Sequence, residues 1–156
     1  MTNLTIGDKA PQFKGIDENG NSISLKDFKG KKVILYFYPK DMTPGCTVES
    51  CNLRDNYANL TKQGFEVIGV SADSTDRHLR FIAKNELPFH LIADEDKTII
   101  KAYGIWGPKK FMGKVYDGIH RTTFIIDENG KLISVIKKVK TKDHTNQILE
   151  DIANNS

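Results

Sequence analysis

The chain has 156 residues and a formal net charge of +3 with neutral histidines, from 23 Lys and Arg against 20 Asp and Glu. This length is typical of one domain with one core, so we expect residues 1–156 to fold as a single unit. The small positive excess argues against a nucleic-acid partner and against an anionic membrane surface, and 2 cysteines are too few for a disulfide scaffold.

The sequence pattern predicts neither a membrane-spanning segment nor a secretory signal. The longest apolar run, residues 33–38, is far too short to cross a bilayer. The first nine residues lack the basic patch and apolar stretch of a signal peptide. We therefore expect a protein of the cytoplasm, which is a reducing compartment.

The predicted elements begin with a hairpin and then alternate between strand and helix. An Asn-Gly turn within residues 18–21 predicts a hairpin between strands 13–17 and 22–25. Continuous apolar runs predict two strands that are covered on both faces, at residues 32–38 and 65–71. The remaining predicted elements are helices 44–62, 75–84, 98–103 and 142–153 and strands 91–93, 122–126 and 131–136.

This order predicts an α/β fold with a mixed central sheet flanked by helices. The early alternation requires parallel strands joined by right-handed crossovers, whereas the late hairpin around the Asn-Gly turn at residues 127–130 requires antiparallel pairing. The thioredoxin-like order, with an extra N-terminal β-hairpin, satisfies both. A purely parallel, doubly wound sheet is the alternative, and the late hairpin counts against it.

The segment from residue 38 to residue 51 carries the chemistry. Thr43 suits the N-cap of the helix and Pro44 its first position, which makes Cys46 the third helical residue. The unpaired N–H groups and positive dipole at a helix start favour thiolate over thiol, and the thiolate is the nucleophile. On position alone, an inert buried cysteine at a helix start is an equal alternative.

The helical phase separates the two cysteines. Cys46 shares a stripe with Leu53, Tyr57 and Leu60, so we expect it to face the sheet in a sheltered pocket. Cys51 points ~140° away and lies ~7.5 Å further along the axis. Because a disulfide needs Cα atoms within ~7 Å, the two cysteines can bond only if the first turns unwind.

Other uses of the cysteines fit less well. The geometry disfavours a structural disulfide, and the spacing is not that of a Cys-x-x-Cys dithiol reductase. A zinc site needs about four ligands, and Cys-x4-Cys is not a usual pair spacing. No glycine-rich phosphate loop is present, so we expect neither a metal nor any other cofactor. The histidines stand singly in the sequence: His78, His90, His120 and His144.

The spacing Pro, three residues, Thr, two residues, Cys falls on Pro39, Thr43 and Cys46. With this motif, the chain resembles the peroxiredoxins, and more narrowly the bacterioferritin comigratory protein group, also called peroxiredoxin Q. The resemblance extends from residue 7 to the last helix without a large insertion. Further segments that match the family are residues 69–74, 101–106 and 118–127.

The resemblance implies a thiol peroxidase that reduces hydrogen peroxide and organic hydroperoxides to water and alcohols. Cys46 would be the peroxidatic cysteine and form a sulfenic acid. Cys51 would be the resolving cysteine of the subgroup that carries it in the same helix, and would form an intramolecular disulfide with Cys46. Thioredoxin or a similar dithiol would reduce that disulfide. Since one chain holds both cysteines, we expect a monomer.

The resemblance also implies roles for four neighbours of the cysteine. Arg121 would hydrogen-bond the peroxide and stabilise the thiolate; its alternative is a surface arginine. Thr43 would give its hydroxyl to the peroxide, or cap the helix, or do both. Pro39 would shield the pocket, or simply end a strand. Glu49 would hold the arginine, or be a solvated carboxylate in the first turns of the helix.

Two other functions compete with the peroxidase. A thioredoxin-fold disulfide exchange protein would react slowly with peroxide and quickly with protein disulfides. A redox-sensing module would use the Cys46–Cys51 switch once, with poor turnover by thioredoxin. The combination of Thr43, Cys46 and Arg121 favours the peroxidase.

Overall fold

The computed structural model describes residues 2–155, and these contain nine β-strands and five α-helices. The strands are β1 (Lys14–Ile16), β2 (Ser22–Ser24), β3 (Lys32–Phe37), β4 (Phe65–Ser71), β5 (His90–Ala93), β6 (Trp106–Phe111), β7 (Lys114–Ile119), β8 (Thr122–Ile126) and β9 (Leu132–Ile136). The helices are α1 (Pro44–Asp55), α2 (Tyr57–Lys62), α3 (Thr75–Asn85), α4 (Thr98–Ala102) and α5 (His144–Asn155). Short 3₁₀ turns lie at Leu25–Phe28 and Thr141–Asp143.

A mixed five-stranded sheet forms the centre, in the order β5-β4-β3-β8-β9. Strand β4 is parallel to both β3 and β5, whereas β8 is antiparallel to β3 and β9 is antiparallel to β8. The predicted thioredoxin-like sheet with its N-terminal hairpin β1–β2 is therefore confirmed, and the purely parallel alternative is wrong.

The sheet is covered on both faces, which explains the uninterrupted apolar sequence of β3. Its alternate residues belong to two separate cores: Val33, Leu35 and Phe37 to one, Ile34 and Tyr36 to the other. The first core contains residues of the β1–β2 hairpin and α4. The second contains buried apolar residues from α1, α2, α3 and α5, among them Leu53, Leu60, Phe81 and Ile148.

Two features of the structure differ from the prediction. The helix expected over residues 44–62 is interrupted at Asn56, whose side chain donates to the Asn52 carbonyl oxygen at 2.8 Å and so competes with the helical backbone. The hairpin β6–β7 was not predicted. Its turn residues Met112 and Gly113 both have positive φ, and Pro108 within β6 weakens the strand pattern.

The strand register brings the carboxyl end of β3 beside the start of β8. Phe37 pairs with Thr122, so the loop that follows β3 lies next to the residue that precedes β8. Helix α1 starts from that loop and is fastened further along to α5. Asn52 Oδ1 accepts a hydrogen bond from the Thr145 backbone N–H at 2.8 Å, and its Nδ2 donates to the Lys142 carbonyl oxygen at 3.2 Å. These connections fix both ends of α1 against the rest of the fold.

Among residues 2–155, no helix combines the length and the apolar character that crossing a membrane requires.

Candidate active site

Cys46 lies in the first turn of α1, where the sequence places it, and is almost completely buried. Leu53 and Leu60 share its buried face, as the helical phase predicts. Its Sγ accepts a hydrogen bond from Arg121 Nη2 at 3.3 Å. The sulfur therefore has a charged donor beside it at the positive end of a helix.

Arg121 donates to two side chains of α1 with one guanidinium. While Nη2 donates to Cys46, Nη1 donates to Glu49 Oε1 at 2.6 Å. The arginine side chain is 23% exposed, so it is not a free surface cation. Gly45 gives the guanidinium room, because a Cβ at this position would lie 3.3 Å from Nη2. Burial alone would lower the pKa of Arg121, but Glu49 and Cys46 outweigh that effect and raise the pKa above its ordinary value.

Glu49 is fully buried, so the alternative of a solvated carboxylate is wrong. It lies one helical turn after Cys46, which turns it to the same face of α1. Its Oε2 has no hydrogen-bond partner among the described residues and lies 3.5 Å from His144 Nε2. Burial raises the pKa of Glu49 to about 7, although the Arg121 charge and hydrogen bond act in the opposite direction.

His144 is a buried neighbour of Glu49 that no sequence motif indicates. Its Nδ1 lies 3.0 Å from Gln147 Oε1, which also accepts from the Lys140 N–H, so Nδ1 carries a hydrogen. Its Nε2 lies 2.8 Å from Thr123 Oγ1 and, in the neutral ring, accepts from that hydroxyl. Burial lowers the pKa of His144 to about 4, and the charge of Arg121 adds to this effect.

Thr43 occupies the N-cap position of α1, and its carbonyl oxygen accepts the first helical hydrogen bond from Thr47. The expectation that its side chain caps the helix is wrong, because its hydroxyl instead donates to the Lys40 carbonyl oxygen at 2.7 Å. Pro39 lies just before this turn and is half-buried. It lines a cavity of about 410 Å³ together with Trp106 and Lys109.

Cys51 lies on a different face of α1 from Cys46. It is half-buried, and its Sγ donates to Asn85 Oδ1 of α3 at 3.7 Å. Both cysteines are free thiols in this structure. The structure therefore has the folded form that the helical phase predicts, with the two thiols in separate environments.

Besides His144, two of the four histidines each lie beside two carboxylates. His78 meets Asp41 and Asp73 in a buried group behind the loop that precedes α1, and His90 meets Asp17 and Glu18 near the β1–β2 hairpin. Each group joins residues far apart in the sequence, so spacing alone could not reveal it.

A buried sulfur at a helix start, with an arginine donor on it, is the site of a thiol-dependent oxidoreductase. The chain matches the AhpC/TSA family over residues 6–135. Peroxiredoxin Bcp of Escherichia coli K12 is 48% identical over 149 residues, which are 96% of each chain. Peroxiredoxin Bcp of Bacillus subtilis is 44% identical over 149 residues, 96% of this chain and 95% of that protein.

Solved structures agree with the sequence comparison. A peroxiredoxin Q of Xanthomonas campestris is 32% identical and superposes with a TM-score of 0.84 over 92% of each chain. A peroxiredoxin Q of Xylella fastidiosa is 27% identical, with a TM-score of 0.91 over 99% of this chain and 98% of that one. The bacterioferritin comigratory protein of Xanthomonas campestris, studied for its alkyl peroxide reduction activity, is 29% identical, with a TM-score of 0.85 over 100% of each chain.

The chain therefore belongs to the AhpC/TSA family, within the peroxiredoxins of the Bcp and peroxiredoxin Q type. It is a thiol peroxidase, an oxidoreductase that reduces peroxides.

The opposite pKa shifts of Glu49 and His144 predict opposite effects of pH on stability. Because the pKa of Glu49 rises from 4.5 to about 7 on folding, its contribution to the free energy of unfolding falls as pH rises through this window. Because the pKa of His144 falls from 6.5 to about 4, its contribution rises with pH between those values. Each contribution is on the order of 3 kcal/mol, so the two largely cancel where the windows overlap.

Replacing either Glu49 or His144 alone should reveal the pH dependence that the other residue gives to the free energy of unfolding. Relative to the unmodified chain, we expect Glu49→Gln to gain stability as pH rises from 4.5 to 7 and His144→Gln to lose it as pH rises from 4 to 6.5. Urea unfolding across this pH range measures both differences, with the double variant as control. Parallel pH profiles for the two single variants and the unmodified chain would contradict the assigned shifts.

Proposed function

We propose that this peroxidase reduces hydrogen peroxide and organic hydroperoxides to water and alcohols, with Cys46 as the peroxidatic and Cys51 as the resolving cysteine. The observation that carries the proposal is the 3.3 Å hydrogen bond from Arg121 to the buried Cys46 sulfur. The alkyl peroxide reduction activity of the similar Xanthomonas campestris protein supports organic hydroperoxides as substrates.

In the first step, the Cys46 thiolate attacks the terminal oxygen of the peroxide. The S–O bond forms as the O–O bond breaks, so that sulfur is oxidised to a sulfenic acid. The alkoxide or hydroxide that leaves takes up a proton and becomes alcohol or water. Arg121 Nη2, which donates to the sulfur, is placed to donate to the peroxide oxygens as negative charge moves from sulfur to the leaving oxygen.

Thr43 and Pro39 would shape the space where the peroxide binds. Since the Thr43 hydrogen is donated to the Lys40 carbonyl, we propose that its oxygen accepts the O–H of the peroxide rather than donating to it. Pro39 presents no N–H and would limit the access of water from the adjoining cavity. Glu49 would act through Arg121, because its 2.6 Å ion pair sets the direction of the guanidinium.

In the second step, Cys51 attacks the Cys46 sulfenic acid, so the disulfide forms and water leaves. This step requires the first turns of α1 to unwind, because the two thiols occupy different faces of the helix. Unwinding would break the hydrogen bond between Ser50 Oγ and Tyr36 Oη (2.9 Å) as well as the Glu49–Arg121 pair. Thioredoxin or a similar dithiol would then reduce the disulfide and allow α1 to reform.

We further propose that residues 1–156 act as one domain and as a monomer in the cytoplasm, without a cofactor and without a nucleic-acid or membrane partner. Both redox cysteines lie in α1, so one chain can complete the cycle.

The assignment of Cys46 is tested by mixing the reduced protein with one equivalent of hydrogen peroxide in a stopped-flow instrument. We expect peroxide loss far faster than with a free thiol, followed by an intact mass lower by two hydrogens. Cys46→Ser should abolish the fast loss. Peroxide loss no faster than that of a free thiol would contradict the proposed site.

Removing Cys51 should separate the two steps of the cycle. In Cys51→Ser, we expect sulfenic acid to form on Cys46 at the unmodified rate and then, without a resolving thiol, to climb to sulfinic acid at high peroxide. Mass spectrometry of the two oxidation states measures this. Normal cycling of Cys51→Ser with thioredoxin would show that the resolving cysteine is wrongly assigned.

Arg121→Lys keeps the positive charge but loses the planar fork that joins Cys46 and Glu49. We expect the rate constant for peroxide reduction to fall about 10²-fold, as for loss of one well-placed donor. Arg80→Lys is the matched control, because Arg80 is exposed and bonds within its own helix. Equal rates for Arg121→Lys and Arg80→Lys would exclude the role proposed for Arg121.

A further inference from the structure

We propose that Asp41 and His78 are positioning residues for the peroxide step, which hold the loop of residues 39–43 closed over Cys46. The proposal rests on the roles given above to Pro39, Thr43 and Cys46. It concerns a buried cluster behind the loop that those roles do not use.

All four polar atoms of Asp41 have hydrogen-bond partners. Its backbone N–H donates to Asp73 Oδ2 at 2.8 Å, and its carbonyl oxygen accepts from Arg77 Nη2 at 3.3 Å. Its Oδ1 accepts from the Tyr38 hydroxyl at 2.5 Å, and its Oδ2 lies 2.6 Å from His78 Nδ1. Asp41 is 1% exposed, although loop carboxylates usually face water. The loop is therefore fixed at this residue by the segment between β4 and α3, by α3 itself and by the residue that follows β3.

The hydrogen bond between Asp41 and His78 is shielded from water. His78 Nε2 lies 2.9 Å from the Ile92 carbonyl oxygen, which can only accept, so Nε2 carries a hydrogen. Nδ1 then faces the carboxylate, and a second proton lies between the two side chains. His78 is fully buried. Removal of either partner would leave the other as a buried polar group without its bond.

The residue after Asp41 shows why the loop needs this support. Met42 has a φ of 68°, in the left-handed region that residues other than glycine rarely adopt. Its backbone turns the chain so that the Thr43 hydroxyl reaches the Lys40 carbonyl and α1 begins at Pro44. Such a conformation persists only where neighbouring contacts hold it. Asp41 supplies those contacts, and through them sets where Thr43 and Cys46 lie.

Asp41, Asp73 and His78 are also close enough together to bind a cation. Each of them, however, already has hydrogen-bond partners inside the fold, including Ser71 and Arg77 on Asp73. The contacts favour a support for the loop over a metal site.

The Asp41→Asn variant removes the carboxylate but can keep the hydrogen bonds of this side chain. The Asn oxygen can still accept from Tyr38, and its amide can donate to Nδ1 of a neutral His78 whose Nε2–H still donates to Ile92. Asp41→Ala and His78→Ala instead remove the bond. Tyr103→Phe is the matched control, since it deletes a hydrogen bond from a buried tyrosine to the Pro11 carbonyl in the other core.

Two rates are measured for each variant, well below its thermal midpoint: peroxide loss in stopped flow, and alkylation of Cys46 by iodoacetamide, located by mass spectrometry. In Asp41→Ala and His78→Ala, we expect peroxide reduction to slow by about tenfold or more, because the reacting groups are displaced. Alkylation of Cys46 should accelerate by about tenfold, because the loop opens. Asp41→Asn should stay within about threefold of the unmodified protein in both rates, and Tyr103→Phe should change neither.

The proposal is overturned if Asp41→Ala and His78→Ala match Tyr103→Phe in both rates, or if Asp41→Asn is as impaired as Asp41→Ala. If His78→Ala does not fold, Tyr38→Phe replaces it, because it removes the donor to Asp41 Oδ1 and should shift both rates in the same directions. The alkylation rate of Cys46 reports whether the loop is closed and does not depend on peroxidase turnover. Slow peroxide loss by the unmodified protein would therefore count against the proposed function, and unchanged alkylation against the loop.

Discussion

The guanidinium of Arg121 is the group on which the site depends. It joins Cys46 and Glu49, two residues of one helix face, to the strand β8 that follows it. The pairing of Phe37 with Thr122 brings that arginine to the helix start, so sheet register and active-site geometry have the same origin. A shift of one residue in β8 would turn its side chains to the opposite face and separate the arginine from the sulfur.

The same arginine explains why a carboxylate is tolerated in the core. Isolated burial of Glu49 would be strongly unfavourable, and only one of its two oxygens is satisfied by Arg121. Burial keeps the neighbouring His144 neutral, and the charge of Arg121 adds to this effect, so His144 does not supply a second cation. Within residues 2–155, the Glu49 Oε2 atom is thus left without a hydrogen-bond partner near the reacting group, and functional sites often keep such atoms at the expense of stability.

Much of this arrangement could be predicted from the sequence, for identifiable physical reasons. Strand β4 has the predicted bounds because its apolar run is covered on both faces, and local rules of helix starts correctly place Cys46 in the first turn of α1. The family resemblance, rather than spacing, pointed to Arg121 and Glu49. His144 and His78 were missed, since Thr123 and Asp41, which they contact, lie 21 and 37 residues away and no local pattern encodes such contacts. Thr43 was correctly placed but its hydroxyl was wrongly directed, because the turn at Met42 brings the Lys40 carbonyl within its reach.

The attachments of Asp41 and Asn52 to the rest of the fold bound a segment that contains both cysteines. As helix, residues 44–51 span about 12 Å, whereas the same residues extended could reach about 26 Å. Unwinding between two fixed points therefore creates slack rather than tension. The chain can fold back on itself to bring two sulfurs together while its ends stay in place, so an oxidised and a reduced molecule can share the same sheet and the same outline beyond this segment.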